Sequence, residues 1–221
     1  MNARPNKPYQ LKHDLDISEL IVATHNKGKW GEFEHYLTDW PCVVRQGDFL
    51  VEPEETGDTF IENAILKARA AVTVSQQWCL GDDAGIQIHC LNNFPSVHTK
   101  RFAEEQGGWD EAIKVLLERI RQKKSNQKNA IIATYHCALA LFGPDGSMYT
   151  AEGIATGRIV QGNLLQICQS PERQKSPAIA FEPIFYMDNY QSTYTMMEPM
   201  QRIQYHYRHQ AIQLLQEQIF A

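Results

Sequence analysis

The sequence predicts an α/β or α+β fold built on a long mixed sheet. Three observations carry this reading. The apolar run Leu20-Ile-Val-Ala23 passes through a polar, glycine-containing loop into a helical pattern. A second helix opens on a capping box at Thr59-Phe-Ile-Glu62 and is followed by another apolar run, Trp78-Cys-Leu80. From Ile131 onward strand-like runs dominate until the last helix.

Taken in order, residues 1–17 are polar, with Pro5 and Pro8 and no period, and read as an N-terminal arm. Residues 18–221 read as one domain. Leu20–Ala23 fits a buried strand, Thr24–Lys29 a loop, and Phe33 and Leu37 lie four apart on one helix face. Behind the capping box, Phe60, Ile61, Ala64, Ile65, Ala68 and Val72 recur at helical spacing. Trp78–Leu80 reads as a short strand that ends in a turn, Gly81-Asp-Asp-Ala-Gly85; Ile86 and Ile88 then alternate as in a half-exposed strand. Trp109, Ile113, Leu116, Leu117 and Ile120 mark a helix, and residues 123–128 a solvated loop. Ile131–Phe142 reads as a long strand, Gly143–Gly146 as a turn, and Met148–Val160 as a strand or hairpin. A polar loop over 169–177 precedes Pro183–Tyr186, and about 201–220 is helical.

Composition narrows the function. The 221 residues are 43 % hydrophobic, enough for a sizeable core. A net charge of −5 argues against binding a nucleic-acid polymer, which needs a basic surface. Cys42, Cys79, Cys90, Cys137 and Cys168 form no C-x-x-C pair and read as reduced core thiols. The opening residues carry no signal-peptide core and no run is long enough to span a membrane, so a soluble, cytoplasmic protein is expected.

Three polar clusters fall at strand ends or helix starts. Thr24-His-Asn-Lys-Gly-Lys29 offers backbone N–H groups and two lysines to an anion, without Walker A spacing; taken alone, it is more simply a plain surface loop. Glu52-Pro-Glu-Glu-Thr-Gly-Asp58 suits a shared cation, or a helix N-terminus that favours acids. In Gly81–Gly85 a turn explains the glycines and one aspartate but the pair of Asp82 and Asp83 less well, and a metal or general-base role stands level with it. Lys67, four residues after Asn63, could reach the same site, although a surface lysine is the commoner case. Together these are parts for metal-assisted phosphoryl chemistry.

The combination resembles the inosine triphosphate pyrophosphatase family. Ile21-Val-Ala-Thr-His-Asn-Lys-Gly-Lys29 resembles that family's opening strand and Thr-x-Asn-x-x-Lys loop, and Glu54–Arg69 its second motif over the whole length. Gly81-Asp-Asp-Ala-Gly85 stands where the family has Asp-Asp-Ser-Gly, and Asn92-x-x-Pro95 and Lys100-Arg-Phe102 resemble weaker signals beyond it. The resemblance implies a long, twisted, mixed sheet flanked by helices, two lobes with a central cleft, and a homodimer. It implies magnesium-dependent hydrolysis of nucleoside triphosphates, above all of inosine and xanthosine, between the α and β phosphates. By position, Thr24, Asn26 and Lys29 would hold phosphates, Lys67 would neutralise charge, and Glu54 and Asp83 would bind Mg2+ with Glu55 beside them. Asp83 would accept the proton of the attacking water with Asp82 in support, so Asp83, Glu54, Lys29 and Lys67 are expected in one cleft.

The C-terminal half departs from the family pattern. Ile179-Ala-Phe-Glu-Pro183 stands for Phe-Gly-Tyr/Trp-Asp-Pro, so Ala180 replaces a glycine, Phe181 keeps an aromatic to stack on a base, and Glu182 replaces an aspartate. Arg202-Ile-Gln-Tyr-His-Tyr-Arg208 stands for Lys-Asn-x-x-Ser-His-Arg, which puts Arg202, His206, Tyr207 and Arg208 at the base-reading positions. Ala84 lacks the family's hydroxyl. These changes keep open a redirected or broader nucleotide range, and a nucleotide-binding module of weak activity.

Overall fold

In a computed structural model, the described residues are 11–12, 15–123, 130–160, 180–198, 201–202 and 206–220. The expected loops over 124–128 and 169–177, Cys168 and most of the N-terminal arm lie outside them. Among the described residues eight strands join one mixed sheet in the order β2-β1-β3-β5-β6-β7-β8, with β4 paired to β3. They are β1 (Glu19–Val22), β2 (Val43–Gln46), β3 (Trp78–Ile88), β4 (Phe94–Pro95), β5 (Ile132–Phe142), β6 (Met148–Ile159), β7 (Phe185–Met187) and β8 (Ser192–Thr193). Among the described residues the α-helices are α1 (Lys27–Tyr36), α2 (Phe60–Ser75), α3 (Thr99–Glu105), α4 (Trp109–Lys123) and α5 (Tyr207–Ile219). Among the described residues, no helix is long and apolar enough to cross a membrane.

The chain divides into two compact units. The first comprises residues 1–83, 137–153 and 208–221, and the second 84–136 and 154–207.

In the first unit β1 runs parallel to both β2 and β3. The chain moves one way across the sheet from β1 to β2 and back from β2 to β3. Right-handed crossovers therefore place α1 and α2 on opposite faces. The capping box forms as expected: Thr59 Oγ1 accepts from Glu62 N at 3.2 Å, and Glu62 accepts from Thr59 N at 3.0 Å. α2 buries Ala64, Ala68, Ala71 and Val72 but also the polar Asn63 and Lys67, so one turn of its buried face is chemical rather than apolar. Residues 11–12 lie along the end of α5. Leu11 pairs with Phe220, and Lys12 Nζ donates to the Gln218 carbonyl at 2.6 Å. That ammonium satisfies a carbonyl at the negative end of the helix.

The second unit holds the ends of β3 and β5, with β4, β7, β8, α3 and α4. Leu116, Leu117 and Ile120 of α4 are buried, as the apolar spacing predicts. Phe102, Tyr135, Phe181, Phe185, Tyr194 and Tyr207 add a block of buried aromatic rings.

One element differs from its expectation. Residues 81–85 are not a turn; β3 runs unbroken through them. The reason lies in the packing of α2. A Cβ at Gly81 would stand 2.2 Å from the Ala64 carbonyl oxygen and 2.7 Å from Ala68 N. The glycine lets helix and strand backbones touch and does not mark a bend. Gly81→Ala is expected to destabilise the fold by roughly 1–3 kcal/mol or more, since the clash is with backbone that cannot rotate away. Chemical denaturation of the variant measures this, and an unchanged midpoint would contradict the close contact.

Candidate active site

Successive residues of a strand face opposite ways. On β3 this separates the two aspartates. Asp82 points to the side of α1 and α5, and Asp83, like Gly81, to the side of α2.

Asp82 is 2 % exposed. Its Oδ2 accepts from Lys29 Nζ at 2.8 Å and lies 3.5 Å from Arg208 Nη2. Burial alone would raise its pKa, but Lys29, Arg208 and Lys67 outweigh burial and hold it down at about 2. Asp82 is therefore a fixed negative charge.

Asp83 is 5 % exposed, and the balance tips the other way. Asn63 Nδ2 donates to its Oδ2 at 3.1 Å, and Lys67 Nζ stands 3.8 Å from its Oδ1. Burial pushes its pKa up to about 6 against the pull of Lys67 and Lys29, and Glu55 adds to the rise. A carboxylate in this state gains and loses a proton near neutrality, as a general base must.

Lys67 joins the parts. Its Nζ donates to the Asp82 carbonyl at 3.0 Å and pairs with Glu55. Burial alone would lower its pKa, but Asp82, Asp83 and Glu55 together raise it above the ordinary value. Asn63 is a second joint, since its Oδ1 accepts from Gly57 N at 2.8 Å while its amide donates to Asp83. The acidic loop is thereby tied to β3 through one side chain.

The expected residues are placed as follows. Asp83, Lys67, Glu55 and Lys29 act on one another in the first unit. Glu54 is exposed, one residue before Glu55. Thr24 is buried, and its Oγ1 accepts from Asn26 N at 3.3 Å. Asn26 has a different task from phosphate holding in this structure. It caps α1, accepting from Gly28 N at 2.9 Å and Lys29 N at 3.1 Å, so its own oxygen takes the N–H groups expected to face an anion. Ala84 follows Asp83 on β3 and is partly buried.

In the second unit Glu182 is a buried carboxylate with three donors. Arg202 Nη2 stands at 2.9 Å, His206 Nε2 at 3.1 Å and the Tyr207 hydroxyl at 3.2 Å. Three positions that depart from the family pattern thus bond to a fourth. Ala180 keeps a left-handed backbone, with φ 57°, where the family has glycine. Phe181 does not offer a stacking face: it is fully buried, with its ring against Phe102 and Trp109 and its N–H on the Tyr135 hydroxyl. Arg208, expected at the edge of a base, is fully buried in the first unit with Glu32 and Asp82. Reading the sequence missed Glu32 and Asn63. Asn63 leaves a trace there, a polar residue one turn from Lys67 on an otherwise apolar helix face; Glu32 leaves none.

The sequence pattern of the Ham1 family matches residues 20–218. The chain belongs to the Ham1 family. It is similar to a dITP/XTP pyrophosphatase of Nostoc sp., 36 % identical over 81 % of this chain and 83 % of the relative. It is also similar to a dITP/XTP pyrophosphatase of Thermosynechococcus vestitus, 30 % identical over 91 % of this chain and 95 % of the relative. A HAM1 protein from Coxiella burnetii has a similar structure, with a TM-score of 0.74 and 27 % identity over 91 % of this chain and 98 % of that one. The Staphylococcus aureus Ham1 protein gives a TM-score of 0.70 with 28 % identity over 90 % and 96 %. The Ham1 fold, a long mixed sheet flanked by helices, is therefore the fold of this chain.

The carboxylates of Asp83, Glu54 and Glu55 are hard oxygen donors. Among the described residues no group of three or more His, Cys, Asp or Glu is placed to hold a metal ion. Magnesium takes one or two carboxylates and completes its shell with water and phosphate oxygens. Asp83, with Glu55 and Glu54 on the adjoining loop, supplies hard oxygen donors of that kind.

The raised pKa of Asp83 has a stability consequence. Between its ordinary value of 3.8 and its folded value of about 6 the folded state carries more protons, so stability falls as pH rises and the loss is complete above about 6. Without metal, wild type is expected to lose on the order of 1–3 kcal/mol more than Asp83→Asn between about pH 4 and about pH 8. Denaturant melts of both proteins across that range measure it; parallel curves would show that Asp83 does not titrate there.

Proposed function

We propose that the chain hydrolyses nucleoside triphosphates of deaminated purines between the α and β phosphates, giving monophosphate and pyrophosphate with magnesium. The names of the Ham1 relatives support the substrate class. The observation that carries the chemistry is the divergence of two adjacent aspartates, Asp82 fixed as a charge and Asp83 poised near neutrality.

Asp83 accepts the proton of the attacking water, and Asn63 fixes which oxygen faces it. Lys67 stays an ammonium because three carboxylates surround it, so it offsets phosphate charge without giving up a proton. Lys29, partly exposed beside Asp82, supplies a second cation for the phosphate chain. Asp83 and Glu54, with Glu55 beside them on Lys67, would hold magnesium, which supplies Lewis-acid polarisation of phosphate oxygens when bound. Arg202 is the partly exposed member of the Glu182 cluster and the cation there best placed to meet a polar ligand. The chain would act as a homodimer, as the family resemblance implies, and sedimentation velocity tests this.

A panel of nucleoside triphosphates with magnesium, scored for pyrophosphate release, tests the activity directly. Asp83→Asn is expected to lower turnover by at least ~10²-fold, the lower end of general-base effects. Near-normal turnover at saturating magnesium would remove Asp83 from the role of base.

The same panel reads base selection. The two oxygens of Glu182 already accept from Arg202, His206 and Tyr207. A carboxylate so engaged contributes less to discrimination, so the kcat/KM preference for inosine over adenosine triphosphate is expected to be weakened by roughly 1–3 kcal/mol, the worth of one polar reader. A sharp preference, unchanged on replacing Arg202, would place base reading outside this cluster.

A further inference from the structure

We infer that Arg208 is a positioning residue for the phosphate site, which by holding Glu32 and Asp82 leaves Lys29 able to exchange Asp82 for a substrate phosphate. The inference rests on the proposed reading that the first unit takes the phosphate chain.

The placement of Arg208 is costly by itself. It is fully buried and sits second in α5, where a cation meets the positive end of the helix dipole. Contacts to α1 and β3 offset that cost. Nη1 pairs with Glu32, Nη2 lies 3.5 Å from Asp82 Oδ2, and the guanidinium stands 5.4 Å from the centre of the Phe33 ring. A planar guanidinium with several donors in fixed directions serves two carboxylates at once, as an ammonium does less well.

Lys29 and Glu32 are three apart on α1 and so lie on one face. The result is an alternating row of charges, Glu32, Arg208, Asp82, Lys29. Both cations meet the same oxygen, Asp82 Oδ2. Because Arg208 pairs with Glu32 and shares the charge of Asp82, Lys29 is held less tightly than in a simple ion pair. Remove Arg208, and Lys29 becomes the counter-ion of two buried or half-buried carboxylates and is withdrawn from substrate. Lys67 cannot take over, since its Nζ bonds the Asp82 carbonyl and Glu55 rather than the Asp82 carboxylate. Cys137, fully buried beside this row, has its thiol pushed up to about 12 by burial and adds no charge.

A base reader and a positioning residue are separated by a ligand with no base. Inorganic tripolyphosphate with magnesium is titrated into wild type, Arg208→Gln, Glu32→Gln and the double variant by calorimetry, and kcat/KM is measured for inosine and adenosine triphosphates. Arg208→Gln should weaken tripolyphosphate binding about tenfold, the effect of one charge-assisted contact, and lower kcat/KM for both nucleotides by the same factor. Adding Glu32→Gln should recover at least about a third of the lost affinity, because the carboxylate that captured Lys29 is gone. Glu32→Gln alone keeps Arg208 and should bind tripolyphosphate as well as wild type or better, which keeps the inference open to refutation even if Arg208→Gln fails to fold. Unchanged tripolyphosphate binding with a changed inosine-to-adenosine ratio would make Arg208 a base reader and overturn the inference. So would a double variant no better than Arg208→Gln, weaker binding by Glu32→Gln alone, or a wild type that binds no tripolyphosphate. A wild type that binds tripolyphosphate yet releases no pyrophosphate from any nucleotide overturns the proposed activity instead, and the calorimetric arm then decides on Arg208 by itself.

Discussion

A carboxylate buried as deeply as that of Asp82 stays charged only if cations surround it. Lys29 from α1, Arg208 from α5 and Lys67 from α2 meet that demand. Each comes from a different helix, so the positions of three helices against β3 are coupled to one charge. The geometry of the candidate site follows from this. Lys29 is drawn to the sheet, Lys67 is brought to the Asp82 carbonyl, and Asp83, one residue on and facing the other way, receives only part of their field. Opposite behaviour of adjacent, identical side chains thus needs nothing more than strand alternation and an uneven share of cations.

The same logic explains why the acidic loop matters beyond its charge. Gly57 N and Asp83 are bridged by the Asn63 amide, whose two ends cannot be exchanged without losing both bonds. Glu55 is anchored to Lys67. The loop therefore arrives with one carboxylate committed to a lysine and its neighbour, Glu54, exposed. Such an arrangement suits a cation that carries much of its own shell.

Much of the fold is legible in the sequence because it is locally encoded. Thr59 and Glu62 state where α2 begins, and the apolar spacing of α4 states which face it buries. Gly81 shows where local signals fail. Glycine commonly ends a strand, yet here it permits contact with α2, which depends on residues far along the chain. The site divides in the same way. Lys29, Lys67 and Asp83 stand out as charges in patterned surroundings, and the structure brings them together. Glu32 looks like any helix-surface acid until α5 delivers Arg208. Phe181 looks like a platform for a base until Phe102 and Trp109 are seen to cover it. Partnerships made by distant segments leave no mark in the spacing of either one.

The pairing of Leu11 with Phe220, reinforced by Lys12 on the Gln218 carbonyl, has a topological effect. It is a non-covalent clasp that shuts almost the whole chain into a ring. The entropy of closing a loop grows only with the logarithm of its length, so a ring this long costs little more than a short one once its interior is folded. One jaw of the clasp is the tail of the helix whose other end carries Arg208. A disturbance of the clasp would thus have a route, along one helix, to the row of charges formed by Glu32, Arg208, Asp82 and Lys29.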